Sequence, residues 1–190
     1  MALKKVLTIA GSDTSAGAGM QADLKTFQEL DVYGMVALTA IVTMDKATWS
    51  HDVTPLPMDV FEKQLETAIS IGPDAIKTGM LGTEEIIKRA GEVYEQSGAD
   101  YFVVDPVMVC KGEDEVLNPG NTDAMIQYLL PKATVVTPNL FEAGQLSSLG
   151  KLTSIEDMKK AAQIIFDKGA KHVIIKGGKA LDQDKSYDLY

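Results

Sequence analysis

Asp105, Asn139 and Glu142 are the side chains whose type and spacing best suit phosphate or metal chemistry in this chain. Asp105 follows the apolar run Phe102-Val103-Val104 and so stands where a strand ends. That place suits a carboxylate of a metal or phosphate region, and equally a turn aspartate satisfied by neighbouring N–H groups. Asn139 and Glu142 stand three apart at a strand-to-helix junction. The pair suits water-mediated Mg²⁺ binding, because hard cations take oxygen ligands and keep much of their water. The same spacing fits a capping box, with Asn139 as N-cap and Glu142 at N3. Lys176-Gly177-Gly178-Lys179 closes a further apolar run. The Gly-, Ser- and Asp-rich stretch from Ala10 to Lys25 passes from a strand into a helix, with Asp13 and Asp23 as acceptors. A loop with so few large side chains lets backbone N–H groups approach a ligand, and the helix behind it adds a partial positive charge.

Cys110 stands beside Lys111, and a nearby cation favours the thiolate, although a lone cysteine is more often simply buried. Both fall in residues 108–117, a polar, glycine-containing stretch suited to a flap that shuts water out. Met44 and Met80 lie near strand ends and can line an apolar slot for a flat ring. His51 reads as a loop residue with no partner at ligand spacing, and His172 as the opening of a strand; both read as structural. The chain carries no zinc-type ligand cluster, nucleophile elbow or Walker-type loop with its lysine.

The elements that must position these residues alternate. Apolar, β-branched runs at Val6–Ala10, Met35–Thr43, Ala75–Thr78, Tyr101–Asp105, Thr134–Thr137 and His172–Lys176 read as strands. Met58, Phe61, Leu65 and Ala68 step by three and four, as one buried helix face requires. Thr83 before Glu84-Glu85 marks a capped helix start with Gly98 as its stop. Ser154 opens another helix, whose stripe of Met158, Ala162 and Ile165 ends near Gly169. Strands alternating with helices of this length predict one α/β domain over residues 1–190, with a mostly parallel sheet covered on both faces. Ser186–Tyr190 reads as a final strand with nothing after it, which leads us to expect that a C-terminal segment is lacking.

Composition narrows the partners. With 27 acidic and 18 basic residues the net charge is −9, which argues against nucleic acid or an anionic membrane surface. The one cysteine permits no internal disulfide, and the short apolar run after Lys5 is too brief for a signal segment or a membrane span. A cytoplasmic protein is expected.

Taken in order, Ala10–Thr26, Lys77–Leu81, Asp105–Met108, Thr137–Glu142 and Lys176–Gly178 resemble the ribokinase-like vitamin kinases. Within them, the likeness is to the branch of hydroxymethylpyrimidine (phosphate) kinases and bacterial pyridoxal kinases. The resemblance implies a ribokinase-like three-layer α/β/α sandwich, ATP and Mg²⁺ as cofactors, a homodimer, and phosphorylation of the 5′-hydroxymethyl group of pyridoxal, pyridoxine and pyridoxamine. It places Glu142 and Asp105 near Mg²⁺, and Asn139, Lys176, Gly177, Gly178, Lys179 and Ala180 at the nucleotide. Asp13, Ala18, Gly19, Val42, Met44, Met80, Val107 and Asp188 are implied around the substrate. Cys110, Lys111 and Asp105 are implied at the reacting groups, Cys110 as a lid cysteine assisting at the aldehyde or the hydroxyl.

Two departures matter. The pyrimidine kinases of this branch carry a glutamine where this chain has Met44, and a thioether cannot donate the hydrogen bond that such a site is built around. Met44 and Cys110 therefore favour pyridoxal-type substrates over the alternative, a hydroxymethylpyrimidine (phosphate) kinase. The family's C-terminal Gly-x-Gly-Cys or Gly-x-Gly-Asp loop does not occur in the 190 residues, which keeps open an inactive sensor of a B6 vitamer or nucleotide. If Cys110 assists the reaction, Cys110→Ala lowers kcat about tenfold or more, roughly 1.4 kcal/mol of barrier, in steady-state assays. An unchanged kcat/KM returns Cys110 to a packing role.

Overall fold

The computed structural model describes residues 3–108, 119–181 and 184–190. Its centre is a seven-stranded sheet in the order β3-β2-β1-β4-β5-β6-β7. The strands are β1 (Lys5–Asp13), β2 (Tyr33–Met44), β3 (His51–Pro55), β4 (Ala75–Thr78), β5 (Tyr101–Val104), β6 (Val135–Val136) and β7 (His172–Val173). Every pairing is parallel except β2–β3, an antiparallel hairpin at the edge. From β1 the chain runs through α1 (Gly19–Glu29) to β2 on one side, and later returns as β4 on the other. That reversal beside β1 is a topological switch point, where the carboxyl ends of the strands leave a crevice.

The helices follow the predicted stripes, except that the helix opened by Ser154 buries Ala161 and leaves Ala162 half-buried. In α2 (Met58–Ile71), Phe61, Leu65 and Ala68 are buried, and Gly72 ends the helix in the left-handed region at φ +76°. In α3 (Glu84–Ser97), the Thr83 hydroxyl accepts from Ile86 N at 3.3 Å, and Gly98 closes the other end at φ +70°. The remaining helices are α4 (Pro119–Tyr128), α5 (Leu140–Ser147) and α6 (Ile155–Asp167). The hydroxyl of Ser154 caps α6 by accepting from Asp157 N at 3.1 Å. Leu7, Ile9, Phe61, Leu65, Ile76 and Phe102 form the centre of one continuous core and expose no surface. Among the described residues no helix is long and apolar enough to cross a membrane.

Two sequence expectations change. The run His172–Lys176 is not one strand: its end is β8 (Ile175–Lys176), which pairs antiparallel with β9 (Asp188–Leu189). Lys176 N donates to Pro138 O at 2.8 Å, but Pro138 has no N–H to return, so the regular ladder beside β6 breaks and only an isolated parallel bridge, Asn139 to Lys176, follows it. The sheet is flanked by helices, but less evenly than alternation suggested. Phe102, Val104, Val136 and Val173 are buried on one face, whereas Tyr101, Val103, Val135 and His172 on the other are half-exposed or exposed among the described residues. Deleting the α6 cap with Ser154→Ala removes about 1 kcal/mol of stability. Urea unfolding should show the loss as a lower midpoint at unchanged slope, and Ser154→Thr should recover most of it.

Candidate active site

A cleft of about 900 Å³ opens over the carboxyl ends of the strands, and both β1 and β4 contribute to its floor. One end is apolar. β2 supplies Val42 and Met44, the segment after β4 supplies Met80, and the segment after β5 supplies Val107. Met80 is fixed from below: the hydroxyl of buried Thr39 donates to its carbonyl at 2.6 Å. The register between β1 and β2 slips between Ala10 and Ser12, a bulge beside the cleft after which Ser12 and Asp13 pair with Ile41 and Val42.

The loop after β1 is organised by Asp13. Its carboxylate accepts from Ser15 N at 2.8 Å, the Ser15 hydroxyl at 2.8 Å, Gly17 N at 3.2 Å and Ala18 N at 2.8 Å. Burial alone would raise the pKa of Asp13, but the Ser15 hydrogen bonds, with those of Ala18 and Gly17, hold it below the usual carboxylate value. Gln21 braces the same loop, accepting from Asp13 N at 2.9 Å and donating to the Ser12 hydroxyl at 2.6 Å. Both Asp13 oxygens are thus engaged by the loop itself, and the backbone of Ala18 and Gly19 forms the adjoining cleft wall. Gly19 is required there: at φ +58°, a Cβ on it would stand 2.5 Å from the Gly11 carbonyl oxygen.

The opposite end is polar. Lys176 donates to Asp105 Oδ1 at 2.9 Å, and the Thr137 hydroxyl reaches the same oxygen at 3.3 Å. Asp105 Oδ2 has no protein partner among the described residues. Asn139 and Glu142 form a complete capping box on α5: Glu142 N donates to Asn139 Oδ1 and Asn139 N to Glu142 Oε2, each at 2.8 Å. Glu142 is only 4% exposed. Its burial pushes its pKa up to about 7, with the Asp105 charge adding to the rise and the Asn139 N–H and Lys176 opposing it. Gly177, Gly178, Lys179 and Ala180 border this end as a turn in which Gly178 takes φ +54°.

The cleft brings together Asp13, Ala18, Gly19, Val42, Met44, Met80, Val107, Asp105, Asn139, Lys176 and residues 177–180. Glu142 sits behind Asn139. Asp188 is placed differently from the rest: its Oδ1 accepts from Gly177 N at 3.1 Å, so it supports the turn and is not part of the cleft lining. Cys110 and Lys111 lie outside the described residues. The sequence reading missed His51. It is not in a loop but opens β3, where pairing with Met44 brings it to the cleft wall. The alternation through Val53 and Pro55, opposite the long β2 run, was the available signal for that hairpin. Lys77 and Asp23, whose distance apart in sequence gave no hint of pairing, meet at 3.1 Å in the cleft wall.

Such a cleft, with an apolar slot beside a lysine–carboxylate end and a glycine turn, defines a small-molecule-binding protein of the doubly wound α/β class. A family model described as phosphomethylpyrimidine kinase matches residues 13–190. The chain is 94% identical, over all 190 residues and 69% of the relative, to a putative pyridoxine kinase of Staphylococcus aureus. It is 51% identical to the pyridoxine kinase of Bacillus subtilis, across all of this chain and 70% of that one. It also matches the structure of Staphylococcus aureus pyridoxal kinase in complex with AMP-PCP and pyridoxal, with TM-score 0.95 and 89% identity, covering 100% of this chain and 68% of that one. The chain belongs to the phosphomethylpyrimidine kinase family, among the ribokinase-like vitamin kinases.

The raised pKa of Glu142 has a consequence for stability. A carboxyl protonated more readily in the folded than in the unfolded chain stabilises the fold below its unfolded pKa, and that stability drains away as pH rises. Between about pH 4.5 and 7 the folded state should therefore lose stability through Glu142. Urea midpoints measured across that range with chelator present should show the decline. Glu142→Gln, which keeps the capping geometry, should flatten it.

Proposed function

We propose that this chain acts as an ATP-dependent kinase of vitamin B6 vitamers, transferring the γ-phosphoryl group to the 5′-hydroxymethyl oxygen of pyridoxal and likewise of pyridoxine and pyridoxamine. The observation that carries this reading is the two-ended cleft, together with the near-identical Staphylococcus aureus pyridoxal kinase structure holding pyridoxal and AMP-PCP. Phosphoryl transfer is mainly positioning and charge neutralisation, and the cleft is suited to both. The ring lies in the slot of Val42, Met44, Met80 and Val107, against the Ala18–Gly19 backbone. Met44 offers no amide to a pyrimidine edge, which favours the B6 ring over hydroxymethylpyrimidine.

At the polar end Lys176 and the Gly177–Ala180 turn hold the nucleotide, and Asn139 lines the wall beside them. Asp105 Oδ2, left without a protein partner among the described residues, is the acceptor available to the incoming hydroxyl or to a hydrated cation. Asp105 and the Asn139–Glu142 pair fit Mg²⁺, which needs only one or two carboxylates when phosphates and water complete its shell. When bound, Mg²⁺ supplies positive charge to the phosphates. Cys110 and Lys111 would close over the reactants, and a cytoplasmic homodimer completes the reading by family resemblance.

Incubating the chain with ATP, Mg²⁺ and pyridoxal should produce pyridoxal phosphate, followed by its absorbance. Vitamer binding without turnover would instead identify a sensor. A higher kcat/KM for hydroxymethylpyrimidine than for pyridoxal would assign the chain to the pyrimidine substrate.

A further inference from the structure

The wall between the two ends of the cleft holds an ion pair that the mechanism above does not use. Lys77 on β4 and Asp23 on α1 meet across the gap between sheet and helix. Lys77 Nζ stands 3.1 Å from each Asp23 oxygen, and the Thr8 hydroxyl donates to Asp23 Oδ2 at 2.6 Å. Thr8 exposes no surface, and the Lys77 and Asp23 side chains are 25% and 14% exposed. Both residues line the cleft. Asp23 is therefore held from behind by Thr8 and from the front by Lys77. Lys77 has no second protein partner among the described residues.

An ammonium carries three N–H donors, and a single carboxylate does not use them all. The free donors cannot be buried against apolar wall without loss, so they need water or a ligand acceptor. The surroundings keep the ammonium within reach. Gly79 lies beside it, since a Cβ there would stand 3.7 Å from Lys77 Nζ and 3.0 Å from Ala10 Cβ, and Met80 of the slot follows Gly79 in the chain. Lys176 and Lys179, the other described lysines of the lining, belong to the polar end beyond β5. Lys77 is thus the described lysine of the lining that lies toward the slot for the ring.

We propose that Lys77, clamped by Asp23 and Thr8, is a specificity-determining donor to an acceptor oxygen borne directly on the substrate ring, the 3-hydroxyl oxygen of a 3-hydroxypyridine. This rests on the B6 reading above and names the feature of the ring that the site recognises. Asp23 is the positioning residue: its carboxylate fixes where the Lys77 ammonium stands. A site built around such a hydrogen bond discriminates against a ligand lacking the oxygen, because the ammonium N–H that Asp23 does not use is then left without its acceptor.

The test is a cycle of two ligands and two proteins, read as dissociation constants by equilibrium dialysis. The ligands are pyridoxine and 3-deoxypyridoxine, alcohols that cannot trap an amine or thiol. The wild-type chain should bind 3-deoxypyridoxine at least tenfold more weakly than pyridoxine. The variant is Lys77→Met with Asp23→Asn, made together so that no carboxylate is stranded half-buried. It should lose at least tenfold for pyridoxine and change less than twofold for the deoxy ligand. Equal losses for both ligands would mean that Lys77 serves something they share, such as the phosphoryl end, and would overturn the proposal. So would equal wild-type affinities, a comparison that decides the matter even where the double variant does not fold. Absence of any wild-type binding to pyridoxine marks a different failure, that of the B6 reading itself.

Discussion

A parallel sheet whose chain leaves one strand first to one side and later to the other cannot cover the carboxyl ends of the two strands that flank the reversal. Here that strand is β1, and the constraint sets where everything else can stand. β1 and β4 are joined at their tips by the Gly79 N–H donating to Ile9 O at 2.8 Å. The floor above that bond is kept low by small residues, since a Cβ at Gly79 would stand 3.0 Å from the Ala10 Cβ. The β2–β3 hairpin then walls one side and the ends of β5 and β6 the other. An apolar slot and a charged end in one cleft follow from which strand tips are hydrophobic and which end in Asp, Asn or Lys.

Electrostatics decides how a chain of net charge −9 can hold a polyanion. It does so locally, by placing Lys176 at a strand end and setting it against one carboxylate. The Lys176–Asp105 pair is 45% and 26% exposed, and partly exposed pairs of this kind contribute only about 0–1 kcal/mol to folding. Stability does not explain its placement, which agrees with the ligand role proposed for it. Glu142 adds to the same effect. Burial leaves it protonated over a wider pH range than an ordinary glutamate, which reduces the negative charge beside Asp105.

Much of this was legible in the residues. The periodic stripe of α2, the caps at Thr83 and Ser154 and the β-branched runs are local signals, and each formed the element that its pattern implies. Strand tips carrying Asp, Asn and Gly pointed to the cleft for the same local reason. What could not be read was pairing between distant segments. His51 reaches the cleft only because β3 folds back on β2, and Lys77 meets Asp23 across 54 positions. The break between β7 and β8 was likewise hidden, because it depends on Pro138 in the segment after β6 rather than on any breaker inside the run.

The sequence posed the Asn139–Glu142 spacing as a choice between a helix cap and a ligand site, and the geometry removes the choice. The cap uses Asn139 Oδ1 and one Glu142 oxygen, and it turns the junction so that Asn139 still lines the cleft. A reciprocal pair of hydrogen bonds fixes both side chains before any ligand arrives, which lowers the entropy lost on binding. Asp13 works by the same logic with its Ser15, Gly17 and Ala18 donors: a carboxylate turned into its own loop still holds the backbone that lines the cleft. In this cleft the residues that look most like turn formers are the ones that pre-shape the site. A strong capping signal at a strand end is therefore no argument against function there.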